Sequence, residues 1–278
     1  MTSLLIGDEV VPTFAAMTNQ GANANVAPIF NPALVGNHNN YYPNKQSFHI
    51  MGRCNDVDNA LRSLWNGPTA LYVPPATPMQ MQIVSTSAND SAAGTGIRTM
   101  TISYLDNDWR PQSLTVLMNG LTPVLTSATN IRRINAMHAL TVGSAGAAVG
   151  NISLSNAGVT YSYIEIGQNL ARQAVFTVPD GFYGYLYRWD TSTGSMSGNH
   201  FTQTVLLSNS HEGILIPGAF LPIDECGTTD NSIEYHFACP IVLPPRGDVG
   251  MVAISDGGSA NVVAMGKFSG WLEAIPPA

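Results

Sequence analysis

Few groups of residues in this chain have the types and spacing to do chemistry. Asp106-Asn107-Asp108 opens like a calcium loop, in which alternating oxygen ligands wrap the ion. Pro111 and Leu117 stand where such a loop needs its Gly and its closing Glu, so the stretch reads as a hairpin tip. Gly94-Thr95-Gly96 has the small residues of a phosphate loop, but no Lys-Ser/Thr follows and no helix opens after it. Gly194-Ser195-Met196-Ser197-Gly198 matches a nucleophile elbow only in part, with its serines off the central position. His200, His211 and His236 fall on separate strands or loops, none at ligand spacing from another, and read as structural histidines. Asp224, Glu225 and Asp230 share a loop with Gly227 and read as solvated carboxylates rather than a cation site. No catalytic residue, metal ligand or cofactor-binding residue is assigned, and no cofactor is expected.

The most informative local feature is aromatic. Tyr183, Tyr185, Tyr187 and Trp189 alternate with Gly184, Leu186 and Arg188, so a flat strand would line all four on one face. Tyr and Trp combine a large apolar body with a polar tip, which suits a core face, a subunit interface or a sugar platform. Core or interface is the expectation, with carbohydrate as the alternative.

Strands must carry these residues. Ile97, Thr99, Thr101 and Ser103 alternate with Arg98, Met100, Ile102 and Tyr104, a period of two over β-branched residues. Similar runs recur at Ser113 to Met118, at Ile134 to Val142 with every second residue on one face, and from Phe182 to Leu272. Asn119-Gly120 predicts a hairpin between Ser113–Met118 and Leu121–Leu125. One helix is expected over Asn55–Trp65, capped by Asn55 and stopped by Gly67-Pro68. The predicted class is all-β: antiparallel β-sandwich or jelly-roll-like lobes, one short helix and an extended N-terminal arm. The predicted organisation is an arm over 1–43, a first β section over 44–168 with the helix at 55–65, and a second over 169–278. The arm mixes Asn, Ala, Gly and Pro with Leu4, Leu5, Ile6, Val10 and Val11, the residues expected to anchor it on a neighbouring subunit.

Composition narrows the partners. The chain has 278 residues, 45% of them hydrophobic and only 10% charged. About 25% charged is usual for a globular domain. A surface poor in charge suits an assembly, since interface cores are depleted of it. The net charge of -7 argues against a nucleic-acid partner. Met1 to Ala16 has neither the basic start nor the long apolar run of a signal peptide, and no stretch nears the roughly 20 apolar residues that span a bilayer. Cys54, Cys226 and Cys239 have no metal spacing; unlinked thiols are expected, with a Cys226–Cys239 bridge as the alternative.

A set of short motifs then runs in order: Gly52-Arg53, Asn55-Asp56-Val57-Asp58, Trp65-Asn66-Gly67, Ser85-Thr86-Ser87-Ala88-Asn89-Asp90, Gly94-Thr95-Gly96-Ile97-Arg98-Thr99, Asn119-Gly120-Leu121-Thr122-Pro123-Val124 and Ile131-Arg132-Arg133-Ile134-Asn135. Val178-Pro179-Asp180-Gly181, Arg188-Trp189 and Phe268-Ser269-Gly270-Trp271-Leu272 follow. As a set, over Gly52 to Glu273, they resemble a family of virion structural proteins encoded by tailed bacteriophages. Cys54 and Leu61-Arg62-Ser63-Leu64 depart from the pattern. The resemblance implies a virion location and supplies no catalytic residues. The expectation is a non-enzymatic capsid decoration or cement protein, made in the host cytoplasm and placed on the capsid surface. It would bind the major capsid protein or other virion proteins as a homo-oligomer, with a trimer as the candidate. The alternative is a tail or fibre component that binds host carbohydrate; no membrane or nucleic-acid partner is expected.

Overall fold

The computed structural model describes residues 3–6, 9–12, 45–195, 200–256 and 262–276, the first two segments as backbone. The strands are β1 (Ser3–Ile6), β2 (Glu9–Pro12), β3 (Lys45–Val57), β4 (Arg62–Ser63), β5 (Gln82–Ser85), β6 (Ile97–Leu105), β7 (Pro111–Leu117), β8 (Val124–Leu125), β9 (Arg133–Val142) and β10 (Ile152–Asn156). They continue as β11 (Val159–Ile164), β12 (Val175–Thr177), β13 (Phe182–Ser195), β14 (Phe201–Ser208), β15 (Ser210–His211), β16 (Ile214–Leu215), β17 (Leu221–Thr229), β18 (Ser232–Leu243), β19 (Asp248–Ser255) and β20 (Val262–Ala274). The protein is all-β, and there is no helix among the described residues.

Four antiparallel sheets carry the structure, set like the blades of a four-bladed propeller. Their orders are β18-β13-β20-β3, β12-β19-β14-β17 with β4 also on β19, β7-β6-β9, and β11-β10-β5-β8. The interior divides into two buried clusters. One joins Phe48, Trp189 and Phe268 of the first sheet to Phe176, Leu206 and Met251 of the second. The other joins Met100, Val116 and Ile134 of the third sheet to Ile83, Leu154 and Ile164 of the fourth. The second cluster is built entirely from residues between Met81 and Ala171, whereas the first takes residues from both sides of that stretch. Residues 81–171 are thus an insertion into the lobe that starts at β3 and ends at β20. The sequence groups 44–65 with the middle strands, but β3 pairs along its length with β20, from Lys45↔Glu273 to Val57↔Val262. Gly52 lets β3 lie close: a Cβ there would sit 2.0 Å from the Leu64 carbonyl oxygen and 2.4 Å from the Ala174 nitrogen.

The expected helix at 55–65 is not formed. Asn55 to Val57 finish β3, Arg62–Ser63 form β4, and Trp65 bridges Gln173. Val57, Leu64 and Trp65 are buried, but Leu61, which a helix would place beside them, is exposed. Asp58 makes the turn instead, its Oδ1 accepting from Ala60 N at 2.9 Å and from Arg62 Nε at 3.2 Å. An acidic side chain that would cap a helix serves equally well in a local turn, and the β20 ladder decides between them.

Asn119-Gly120 is a turn but not a hairpin. Gly120 has φ of +59°, as such a turn needs. Its flanks part: β7 pairs β6, and β8 pairs β5 in the opposing sheet. Gly120 N donates to the Asp90 carbonyl and its own carbonyl accepts from Ser85 N, so the turn is fastened to the loop after β5. At the centre of that loop is Asp90, fully buried. Its carboxylate accepts from Ser85 Oγ (2.6 Å), Ile97 N (2.8 Å), Gly150 N (2.8 Å) and Val149 N (3.1 Å). One side chain thereby ties β5, β6 and the segment before β10, and its charge is compensated by donors as a buried carboxylate requires.

In two of the bulged strands, β9 and β13, the inward phase departs from the regular alternation expected. In β9 the pairing jumps from Ser103↔Ala136 to Tyr104↔Ile134. Ile134 and Met137 are buried while Leu140 and Val142 are exposed, against the expectation of one shared face from Ile134 to Val142. The extra residue, Asn135, turns to β12, where its amide and that of Thr177 exchange two bonds (2.9 and 3.0 Å). Beside it Arg133 reaches Asp248 of β19, Nε to Oδ1 at 3.2 Å and Nη2 to Oδ2 at 3.3 Å. Thr177 Oγ1 and Asn209 Nδ2 also donate to that carboxylate. This buried polar knot joins the two lobes.

Of the arm, β1 pairs with β2, with Leu4↔Val11 and Leu5↔Val10 in register. The anchor segment expected to run extended is therefore a two-stranded ribbon. The rest of the arm, residues 1–2, 7–8 and 13–43, lies outside the described residues.

Candidate functional site

The aromatic strand β13 lies between β18 and β20, and here the second bulge matters. Against β20 the pairing steps from Leu186↔Gly270 to Arg188↔Ser269, leaving Tyr187 as the extra residue, while on the other side residues 237–240 of β18 intervene between the partners of Leu186 and Arg188. Before the bulge Gly184 and Leu186 point inward; after it Trp189, Thr191 and Thr193 do. A single inserted residue exchanges the two faces of everything that follows. Trp189, expected beside the tyrosines, is fully buried in the core. Its ring stacks on Tyr235 at 5.0 Å and its indole donates to Asp224 Oδ2 at 2.7 Å.

Tyr183, Tyr185 and Tyr187 stay on the outer face. Tyr185 stacks on Trp271 of β20 at 5.1 Å, Tyr187 tilts over the same ring at 6.1 Å, and Lys45 Nζ lies 5.6 Å from its centre. Tyr183 is the exposed member. Burial, and then the nearby Glu273 charge, push the Tyr185 hydroxyl above its ordinary value. Lys45 pairs with Glu273 at 2.6 Å at the end of this row.

Along the same face the aromatic half gives way to a charged half, a groove of about 640 Å³. Its charged walls are Arg53 of β3, Lys267 of β20, Arg188 and Asp190 of β13, Glu234 of β18, and Arg172 from the segment that returns from the insertion. Arg188 donates to Asp190 Oδ1 at 2.7 Å and lies 3.1 Å from Glu234. The bond to Asp190 holds the Arg188 guanidinium above its already high value. Lys267 Nζ is 3.6 Å from Asp190, and Arg172 donates to Gln168. Arg53 has no ion-pair partner among the described residues, and its Nε is buried with no hydrogen-bond acceptor. Gly52-Arg53 and Arg188-Trp189 each contribute a cation, but no single motif marks this groove, because its residues come from distant strands. The one signal in the sequence is scarcity: four of the chain's 11 Lys and Arg line it.

The other groups considered for chemistry are dispersed. His200 faces Asp256 at 3.4 Å, His236 contacts Glu234, and His211 sits on the β15–β16 ribbon. Asp224 and Glu225 belong to β17 rather than a loop; Asp224 takes the Trp189 indole, and Asp230 accepts from Ser195 N at 2.7 Å. Asp106 closes the β6–β7 turn, accepting from the nitrogens of Asp108 (2.9 Å) and Arg110 (3.0 Å). Gly94 and Gly96 bond back to Ser91 and Asn89 within their loop. Residues 196–199 of the elbow-like segment lie outside the described residues. Among the described residues no three His, Cys, Asp or Glu side chains come together as a metal-holding group. Cys54 and Cys226 are buried, Cys239 is exposed, and all three are free thiols.

No family model matches the chain, and no curated protein does. Among solved structures it is similar to "Structure of infectious bursal disease virus Gx strain" at 8% identity over 83% of this chain and 76% of that one, with a TM-score of 0.19. For the structure of the Gt strain of the same virus the values are 11%, 84%, 78% and 0.14. Scores this low establish no shared backbone arrangement.

Proposed function

We propose that the protein is a non-enzymatic structural component of a tailed-bacteriophage virion, a capsid decoration or cement protein that clamps shell subunits as a homo-oligomer. In this reading each pair of sheets sharing a core is a sandwich lobe of jelly-roll kind, and the N-terminal segment reaches a neighbour. The observation that carries it is the surface. Large apolar side chains such as Ile214 (69% exposed), Val73 (65%) and Phe201 (52%) stay in solvent on a chain with 10% charged residues. Such a surface is soluble at a cost and is better explained by burial against a partner. The motif set from Gly52 to Glu273, with its resemblance to phage virion proteins, supports the same reading. The test is copy number on a stained gel of purified particles. A band comparable to the major shell protein is expected; a few copies per particle would move the protein to the tail.

A second reading, a tail or fibre component that binds carbohydrate, is favoured by the outer row of Tyr183, Tyr185 and Tyr187 beside the charged groove.

A further inference from the structure

The groove on the outer face of β18-β13-β20-β3 is a concentration of positive charge on an acidic protein. Four cations, Arg53, Arg172, Arg188 and Lys267, face two carboxylates, Asp190 and Glu234, which leaves +2 on a chain that carries -7. The carboxylates are already committed to Arg188 and Lys267. Arg53 and Arg172 are left with guanidinium donors and no carboxylate among the described residues. Arg53 is half-buried, and its Nε is shut away from solvent without an acceptor. That nitrogen is out of a ligand's reach, so recognition falls to the outer guanidinium nitrogens of Arg53 where it lines the groove. A planar guanidinium fork matches a carboxylate or a phosphate. Ser192 and Ser232 offer hydroxyls in the same groove, and the tyrosine row adjoins it at Tyr187. Hydroxyls, carboxylate acceptors and nearby aromatic rings around an unpaired guanidinium fit a sugar that bears a carboxylate better than a bare anion.

We propose that this groove binds an acidic saccharide, a uronic or sialic acid unit, with Arg53 and Arg172 on its carboxylate. The proposal rests on the carbohydrate reading, names its sugar class, and moves the contact from the tyrosine row to the groove. It holds for a shell or a tail position alike.

The experiment is calorimetric titration of the full chain with three probes: a hexasaccharide alternating glucuronic acid with N-acetylglucosamine, the neutral hexamer of N-acetylglucosamine, and hexaglutamate. The acidic sugar is expected to bind at least about tenfold more tightly than either other probe, with affinity falling as salt rises. Arg53→Met and Arg172→Gln should each weaken it roughly tenfold. Arg53→Met should leave the melting temperature unchanged or raised, because it removes an unsatisfied donor. Lys267→Gln, at a half-exposed position, gives a third variant independent of folding. Equal binding of neutral and acidic sugars would leave the carbohydrate reading standing and overturn this one. No sugar binding at all would overturn both. Tighter binding of hexaglutamate would make the groove a protein-docking site and overturn the proposal, as would full affinity in the folded Arg53→Met variant.

Discussion

At the scale of single residues, the buried polar groups dominate. Asp90 is fully buried and holds four donors, three of them backbone amides that have this carboxylate as partner. Asp90→Ala removes the acceptor and strands those amides in the interior. The expected loss is about 3 kcal/mol of stability, measured as a shift in the urea midpoint with its slope unchanged. The titrating groups give a second prediction. Burial pushes the hydroxyls of Tyr72, Tyr104, Tyr163 and Tyr185 and the Cys54 thiol above their ordinary values of 10.0 and 9.0. A group with its folded value raised contributes stability that is complete below the ordinary value and lost as pH climbs through the folded one. On the acid side the Asp58 carboxylate is lowered, chiefly by its bond to Arg62, and its contribution is present above its ordinary value of 3.8 and lost as pH falls through the lower folded one. The raised tyrosine and cysteine groups predict a protein that loses stability as pH climbs above 9. Midpoints at pH 7, 9, 10 and 11 check this; no decline above pH 9 would refute it. Asp90 carries no motif in the sequence, and its neighbours Asn89 and Ser91 make it look like any loop carboxylate.

At the scale of elements, the bulges in β9 and β13 decide which side chains are core. Trp189 lies inside because Tyr187 is an extra residue in its ladder. Deleting Tyr187 would restore strict alternation with Leu186 and Trp189 on one inward face and Arg188 and Asp190 still outside. Trp189→Ala keeps the bulge but empties the space on Tyr235 and frees Asp224, at a cost of about 3–5 kcal/mol. Tyr183→Ala, on the outer face, should cost less than about 1 kcal/mol. If the two alanine variants were equally destabilised, the phase shift described here would be wrong. A reader of the sequence could recognise the strand, since Tyr, Leu and Trp alternate with Gly and Arg. The bulge was not legible, because one extra residue on one strand is defined only by the partner strands.

At the scale of the whole molecule, an inserted lobe is fixed to its host by a polar knot. Arg133 belongs to the inserted lobe and Asp248 to the host, and both are largely buried. Arg133→Ala leaves Asp248 with hydrogen bonds from Thr177 and Asn209 but without its cation. The loss should be about 3–5 kcal/mol. With the coupling weakened, the single calorimetric transition expected of the native chain should split in two, one for each core. Arg133→Ala with Asp248→Ala should recover part of the loss; no recovery would show that the pair is not the coupling. The N-terminal ribbon is predicted to act at a larger scale still. Deleting residues 1–20 should leave the melting temperature of the body unchanged while lowering its occupancy on particles. Unchanged occupancy would remove the ribbon from the proposed function.

The sequence by itself determined that the chain is all-β, that Asp106 to Arg110 closes a hairpin, and that glycines mark the turns. These follow from sterics acting within a few residues: β-branched and aromatic side chains with period two, and the φ angles that Gly and Asn permit. Tertiary structure alone decided that 55–65 finishes β3 and forms β4 rather than a helix, that Asn119-Gly120 joins opposing sheets, and that Trp189 parts from the tyrosines beside it. It also decided that Arg53, Lys267, Arg188 and Arg172 meet in one groove. The reason is common to all four. A strand's amides and carbonyls accept any partner strand, so the choice of partner and register is made by burying both faces at once. The ladder of β3 on β20 spans more than 200 residues, a distance over which local propensity has no say.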